Sequence, residues 1–351
     1  MTPMLRTRFA GVAGAILVTG CTAATPPQVL LPASTVQAAA ETRPVESAAS
    51  VDAADDPAIW VPAGGNTTRF ASRDVAGVIL GTDKKAGLYA YDLTGEVLQF
   101  LPDGLLNNVD LRPDGDGFIA AASDRGRMGV ALYRYSPGGE LVPAGFIASD
   151  VGEPYGMCLG RWNDTLVAVL VAKDGAVRLY RLDGDGTELR GSEQVRFRLA
   201  SQSEGCVVDD ATGDLFIGEE NRGVWRFTLT DPGAPPVLVS AVGDGALVAD
   251  VEGLAILEDG RTRYLIGSSQ GDDAFAVWQL GSDMPVYRGR FRVTGSDAAD
   301  AVTGTDGVAA LGGAVGPYPQ GLVVVQDDVN TGGPQNFKLV DWRAIRAALE
   351  L

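Results

Sequence analysis

Short apolar runs alternate with polar, turn-forming residues along the chain, and one such unit recurs six times. It stands as Asp56-Pro57 (DPAIWV), Asn108-Val109 (NVDLRP), Tyr155-Gly156 (YGMCLG), Glu204-Gly205 (EGCVVD), Glu252-Gly253 (EGLAIL) and Asp306-Gly307 (DGVAAL). Their second residues lie 52, 47, 49, 48 and 54 positions apart. One repeat shows the grammar. After Glu204, residues 206–208, 215–218, 224–229 and 236–242 predict four strands, separated by Asp, Gly, Asn and Pro turns. A period near fifty predicts an all-β fold, a six-bladed β-propeller with four-stranded antiparallel blades. Equivalent positions then form a ring around one axis. Four of the six lead residues are carboxylates and one is an amide, so the repeat predicts oxygen ligands at one end of a channel. The loops after the second strands (172–175, 219–223, 268–273) fall at that same end. No fourth strand is evident after Trp342, and residues 41–45 are expected to close the ring as an edge strand.

The N-terminus changes where the folded part begins. Residues 1–20 read as a signal peptide, with Arg6 and Arg8 ahead of a short apolar core over 9–18. Val18-Thr19-Gly20-Cys21 is similar to a bacterial lipobox, which would leave Cys21 lipidated; an ordinary secretory signal is the alternative. Residues 21–38, rich in Ala, Thr, Pro and Ser, read as a tether with a strand near its end. The propeller is expected over 39–351. The protein should therefore be exported and lipid-anchored to the cell envelope, or secreted where the lipobox is not used. Membrane contact is expected only through the lipid, and the chain should act as a monomer.

Charge and missing residue types narrow the chemistry. The formal charge is −17, and removing Arg6 and Arg8 leaves 26 minus 45, or −19. Such a field excludes nucleic acid as a natural partner. A phosphorylated substrate would need local Lys or Arg, or bound metal. The chain has no His, which removes Ser-His triads, imidazole acid–base catalysis and the usual zinc sites. Any metal must be held by oxygen, which favours Ca²⁺, Mg²⁺ or Mn²⁺. Cys158 and Cys206 read as buried apolar residues. Export permits a disulfide, but their unequal offsets from the repeat starts argue against one. The DGDG stretch at 183–186 lacks the later Gly and Glu of a calcium loop and reads as a hairpin turn.

Asp250 and Glu252 are two apart and point the same way. With Glu204 and Asp306 at equivalent ring positions, they could surround a cation cluster. Acids at strand ends also cap turns, so the shared register is what favours metal. Basic residues follow the predicted second strands as well: Lys84, Lys85, Arg125, Arg127 and Lys173. Beside bound cations they would make an anion site suited to phosphate.

Several segments together resemble the β-propeller phytases, the alkaline calcium-dependent phytases of bacteria. They include AETRPVES (40–47), DAADDPAIW (52–60), TDKKAGLYAYDLTGEVL (82–98), LLNNVDLR (105–112), SQSEG (201–205), DVEGL (250–254), TDGV (305–308) and QNFKLVDW (335–342). The resemblance implies a phosphoric monoester hydrolase of the 3-phytase type. It would cleave phytate, inositol hexakisphosphate, through attack of a calcium-bound water, with neighbouring cleavage and affinity sites for phosphate. It implies Glu204, Asp250, Glu252 and Asp306 as the catalytic cluster, and Glu220, Gln270 and Glu41 as further calcium ligands. Asp55, Asp56, Asp300, Asp327 and Asn330 would hold calcium ions that stabilise the fold. Lys84, Arg125, Tyr155 and Lys173 would contact phosphate. Val329 stands where the family often carries an acid, a departure near Asp300 and Asp327. A metal-dependent lactonase and a non-catalytic calcium-binding propeller remain as alternatives; the first would not need Lys84, Arg125 and Lys173 at one rim, and the second could keep the structural ligands while losing the cleavage cluster.

Overall fold

The computed structural model describes residues 29–184 and 188–351; the signal segment and Cys21 lie outside the described residues. Six blades, each built on four antiparallel strands, make up the described chain. Blade 1 comprises Ala54–Trp60, Val78–Asp83, Gly87–Asp92 and Val97–Leu101, with a small hairpin, Thr68–Phe70 and Arg73–Val75, inserted after its first strand. Blade 2 comprises Leu106–Asp114, Gly117–Asp124, Gly129–Tyr135 and Val142–Ala148. Blade 3 comprises Pro154–Trp162, Thr165–Ala172, Ala176–Gly184 and Leu189–Arg198. Blade 4 comprises Ser203–Asp209, Asp214–Glu219, Gly223–Thr228 and Val237–Ala241. Blade 5 comprises Leu254–Asp259, Thr262–Ser269, Ala274–Gln279 and Val286–Thr294. Blade 6 comprises Val308–Gly312, Gly321–Asp327 and Asn336–Asp341.

The N-terminal segment completes the circle. Ala40–Glu41 pairs antiparallel with Asn336–Asp341, Ala40 opposite Leu339 and Glu41 opposite Lys338. Thr42 and Val45 extend the contact, donating to the carbonyls of Phe337 (2.9 Å) and Gln335 (3.0 Å). Just upstream, Ala33–Gln37 adds a fifth, parallel strand to blade 5, and the Ser34 hydroxyl reaches the Ala348 carbonyl on the C-terminal helix Trp342–Leu349. Apolar side chains are packed between neighbouring blades. Ala58, Trp60 and Leu80 of blade 1 form one core with Leu111, Phe118 and Tyr133 of blade 2. Fully burying each of the large ones stabilises the fold by about 1.5–3 kcal/mol.

The first strands line the central channel, a cavity of about 490 Å³. In blades 1 to 4 each carries a one-residue bulge against its second strand. The bulges fall at residues 55–56, 107–108, 155–156 and 204–205, where two residues of the first strand oppose one of the second. An ordinary strand sends successive side chains to opposite faces, and a bulge re-aims one of them. The lead pairs are thus turned to the channel end. The glycines of these pairs serve close approach rather than a turn. A Cβ on Gly156 would meet the Glu204 carbonyl oxygen at 1.8 Å, and one on Gly205 the Glu252 oxygen at 2.0 Å.

That crowding corrects the expectation for the cysteines. Gly156 lies against Glu204, so the first strands of blades 3 and 4 are staggered by one residue relative to the repeat. Two residues further on, Cys158 meets Cys206, and they form a disulfide with Cα atoms 5.7 Å apart. The unequal offsets are the stagger itself. In the DGDG stretch, Asp183 and Gly184 end a strand and pair with Arg190 and Leu189.

Candidate active site

At the bulged end of the channel, Glu204, Glu220 and Glu252 are all buried, and each offers a carboxylate oxygen within 4.8 Å of the others. Glu252 Oε2 and Glu220 Oε1 are buried with no hydrogen-bond partner. Burial, with Asp55 adding its charge, pushes the Glu204 carboxyl up to about 7. Burial and then the Glu204 charge raise Glu252 well above the usual carboxylate range. Burial raises Asp306 in the same way, with Lys84 opposing. Buried carboxylates this close cannot all ionise without a cation.

Lys84, on the loop after the second strand of blade 1, enters from one side. Its ammonium lies 2.6 Å from Asp52, 2.8 Å from Asp306 and 3.1 Å from Asp55. Burial works against its charge, but Asp55, Asp306 and Asp52 outweigh it and hold the ammonium above the usual Lys range. Arg125 of blade 2 donates to the Lys84 carbonyl (2.9 Å). On blade 3, the Lys173 ammonium sits 5.0 Å from the centre of the Tyr155 ring. Tyr155 bears on Glu204 and opposes the rise of that carboxyl's pKa. Burial and the charges of Glu204 and Glu252 raise its pKa far above the usual Tyr value, so it keeps its proton. Gln270 donates its amide to Asp306 and to the Gly304 carbonyl (3.4 Å). Asp250 bears on Glu220 electrostatically, raising it after burial does.

The residues expected to hold stabilising ions divide into two sets. Asp55 belongs with Lys84 and Glu204 at the channel end. Asp56 is beside it, accepting from the Val109 amide (3.2 Å), its pKa raised by burial and then by Asp55. Asp300, Asp327 and Asn330 converge elsewhere, and Glu41, expected as a further calcium ligand beside Glu220 and Gln270, joins them there on the Lys338 ammonium. Glu41 is 2.5 Å from it, Asp327 3.1 Å and Asn330 Oδ1 3.2 Å, with Asp300 also in contact. An ion there would share its ligands with an ammonium of the chain's own. Glu219, adjacent to Glu220, is instead satisfied by Ser201 (2.6 Å) and Trp225 (2.8 Å).

Sequence reasoning passed over Asn107, Asp52 and Lys338. Asn107 sits beside a ring position, and its signal was the polar pair in LLNNVDLR. Lys338 is a lone charge in an otherwise apolar strand, NFKLVD, and that placement was the clue.

The unpartnered carboxylate oxygens and the all-oxygen donor set fit a hard divalent cation at Glu204, Glu220 and Glu252. The family model described as Phytase matches residues 9–351. The chain is also 36% identical over 333 residues to the 3-phytase of Bacillus subtilis (strain 168), covering 88% of this chain and 84% of that protein. On this similarity, which runs through every blade, the chain belongs to the phytase family.

Proposed function

We propose that this protein is a calcium-dependent phosphomonoesterase that releases phosphate from phytate. The observation that carries it is the pairing of a buried carboxylate cluster having free oxygens with a cationic rim from blades 1 to 3. Glu204, Glu220, Glu252 and Asp306 would hold the ions, with Asp250 and Gln270 beside them. Bound calcium supplies Lewis-acid chemistry, polarising phosphoryl oxygens and acidifying water. Lys84 and Arg125 would meet the oxygens of a phosphate at the cluster and stabilise charge that develops on it. Tyr155 keeps its proton and can donate it as a hydrogen bond. Lys173, on the Tyr155 ring, extends the cationic rim outward and favours a substrate with more than one phosphate. The N-terminal features support export with a lipid at Cys21.

Phosphate release from phytate, with and without calcium, tests this reading alongside a lactone assay. Calcium-dependent release without lactone opening is expected. Equal release after calcium is stripped would overturn the metal-dependent mechanism.

A further inference from the structure

Two different means hold the carboxylates of the channel end. Lys84 holds Asp55 and Asp306 by charge, which also neutralises them in part. Asn107 holds carboxylates without neutralising them. It is fully buried on the first strand of blade 2, and its Nδ2 donates to Asp55 Oδ2 of blade 1 (2.8 Å) and to Glu204 Oε1 of blade 4 (2.7 Å). The two amide protons thus serve two carboxylates from different blades. The same Nδ2 also lies 2.9 Å from Oδ1 of the adjacent Asn108; with its amide turned over, Asn108 would instead donate to the same Glu204 oxygen (3.0 Å) and to the Tyr155 carbonyl (3.0 Å). Successive residues of a regular strand could not both do this. The bulge at 107–108 brings the two amides to one end.

We propose that Asn107 is a positioning residue for calcium: its amide bridges Asp55 and Glu204, fixes one Glu204 oxygen without neutralising the carboxylate, and leaves the other oxygen for the ion. The proposal rests on the reading that Glu204, Glu220 and Glu252 hold calcium. A cation in place of the amide would orient the same oxygens but compete with the metal. An apolar side chain would take one donor from each of two buried carboxylates, and they would be free to swing toward their other partners. Neutral donors around metal ligands characteristically set affinity in this way.

The test is calcium titration of the full chain by calorimetry for wild type, Asn107→Leu and Asn107→Ser. Melting with and without calcium, and kcat and KM for phytate at saturating calcium, are measured on the same samples. Asn107→Leu, close in volume but without a donor, should weaken calcium binding about 10- to 100-fold. Raising calcium should recover part of its lost turnover, since affinity for the ion is what the bridge sets. Asn107→Ser leaves room for a water to donate in the amide's place and should be weakened less. If Asn107→Leu does not fold, a measurable loss of affinity in Asn107→Ser carries the proposal, and wild-type affinity in it overturns the proposal. Calcium binding equal to wild type in Asn107→Leu, with lower melting in both buffers, would make Asn107 a packing residue and sink the proposal alone. Failure of the wild type to bind calcium would remove the cluster reading and the proposal together.

Discussion

Two groups of acids in this molecule have much in common and balance their charge in different ways. Around Lys338, Glu41, Asp300 and Asp327 converge on an ammonium that the chain itself places at their centre. At the channel end, Lys84 touches Asp52, Asp55 and Asp306, while Glu220 and Glu252 keep buried oxygens without partners. The first arrangement resembles a closed internal ion network. The second leaves charge to be met from outside. The difference separates acids that hold blades together from acids that can bind and release a ligand.

Removing the internal cation should have the largest effect. Lys338→Met leaves the buried Asp327 and the half-buried Glu41 and Asp300 facing one another without their cation, and removing one partner of a buried ion pair costs about 3–5 kcal/mol. Denaturant unfolding in calcium-free buffer measures this; wild-type stability would abolish the distinction between the groups. At the channel end the loss should fall on activity instead. Glu252→Gln or Asp306→Asn should lower phosphate release by more than the roughly 10- to 100-fold typical of groups that merely support metal ligands. The calcium-free melting temperature of Glu252→Gln should not fall, since the amide replaces a carboxyl crowded by Glu204 and Asp306 that must otherwise be kept protonated. Normal turnover in both variants would refute the assigned cluster.

A smaller effect follows from the raised pKa values. Without calcium, Glu204, Glu252 and Asp306 hold protons in the folded chain that the unfolded chain releases. Stability of the calcium-stripped protein should therefore fall as pH rises from about 4.5 through about 7. Calcium should remove that slope by binding the ionised carboxylates. Melting curves across this range, stripped and loaded, check the sign; a rising stability in the stripped protein contradicts it. The smallest effect is expected at Lys173. A partly exposed ammonium–phosphate contact is worth about 1 kcal/mol, so Lys173→Ala should raise KM for phytate about fivefold. Unchanged KM and kcat would take Lys173 out of the site.

The sixfold period, the blade grammar and the closing segment were legible along the chain because each depends on local order: apolar runs, turns and spacing. The ring positions of Glu204, Glu252 and Asp306 followed from the same period. What was hidden depends on how one blade meets the next. The stagger between blades 3 and 4 made Cys158 and Cys206 partners. The bulges that aim Asn107 and Asn108 together appear only once first and second strands are paired. Lys338 finds Glu41 across nearly the whole length of the chain. Interactions of that range leave little trace in any window of the sequence.

The strand Ala33–Gln37 on the rim of blade 5 gives the molecule a mechanical property. Any pull on the N-terminus loads that outer seam first, through the strand's parallel ladder and the Arg290 bond to the Leu31 carbonyl (3.2 Å). Tension would have to strip this seam before reaching Glu41 and the joint that locks the ring. A propeller moored by its leading end would thus shed drag at its perimeter, with the channel undisturbed.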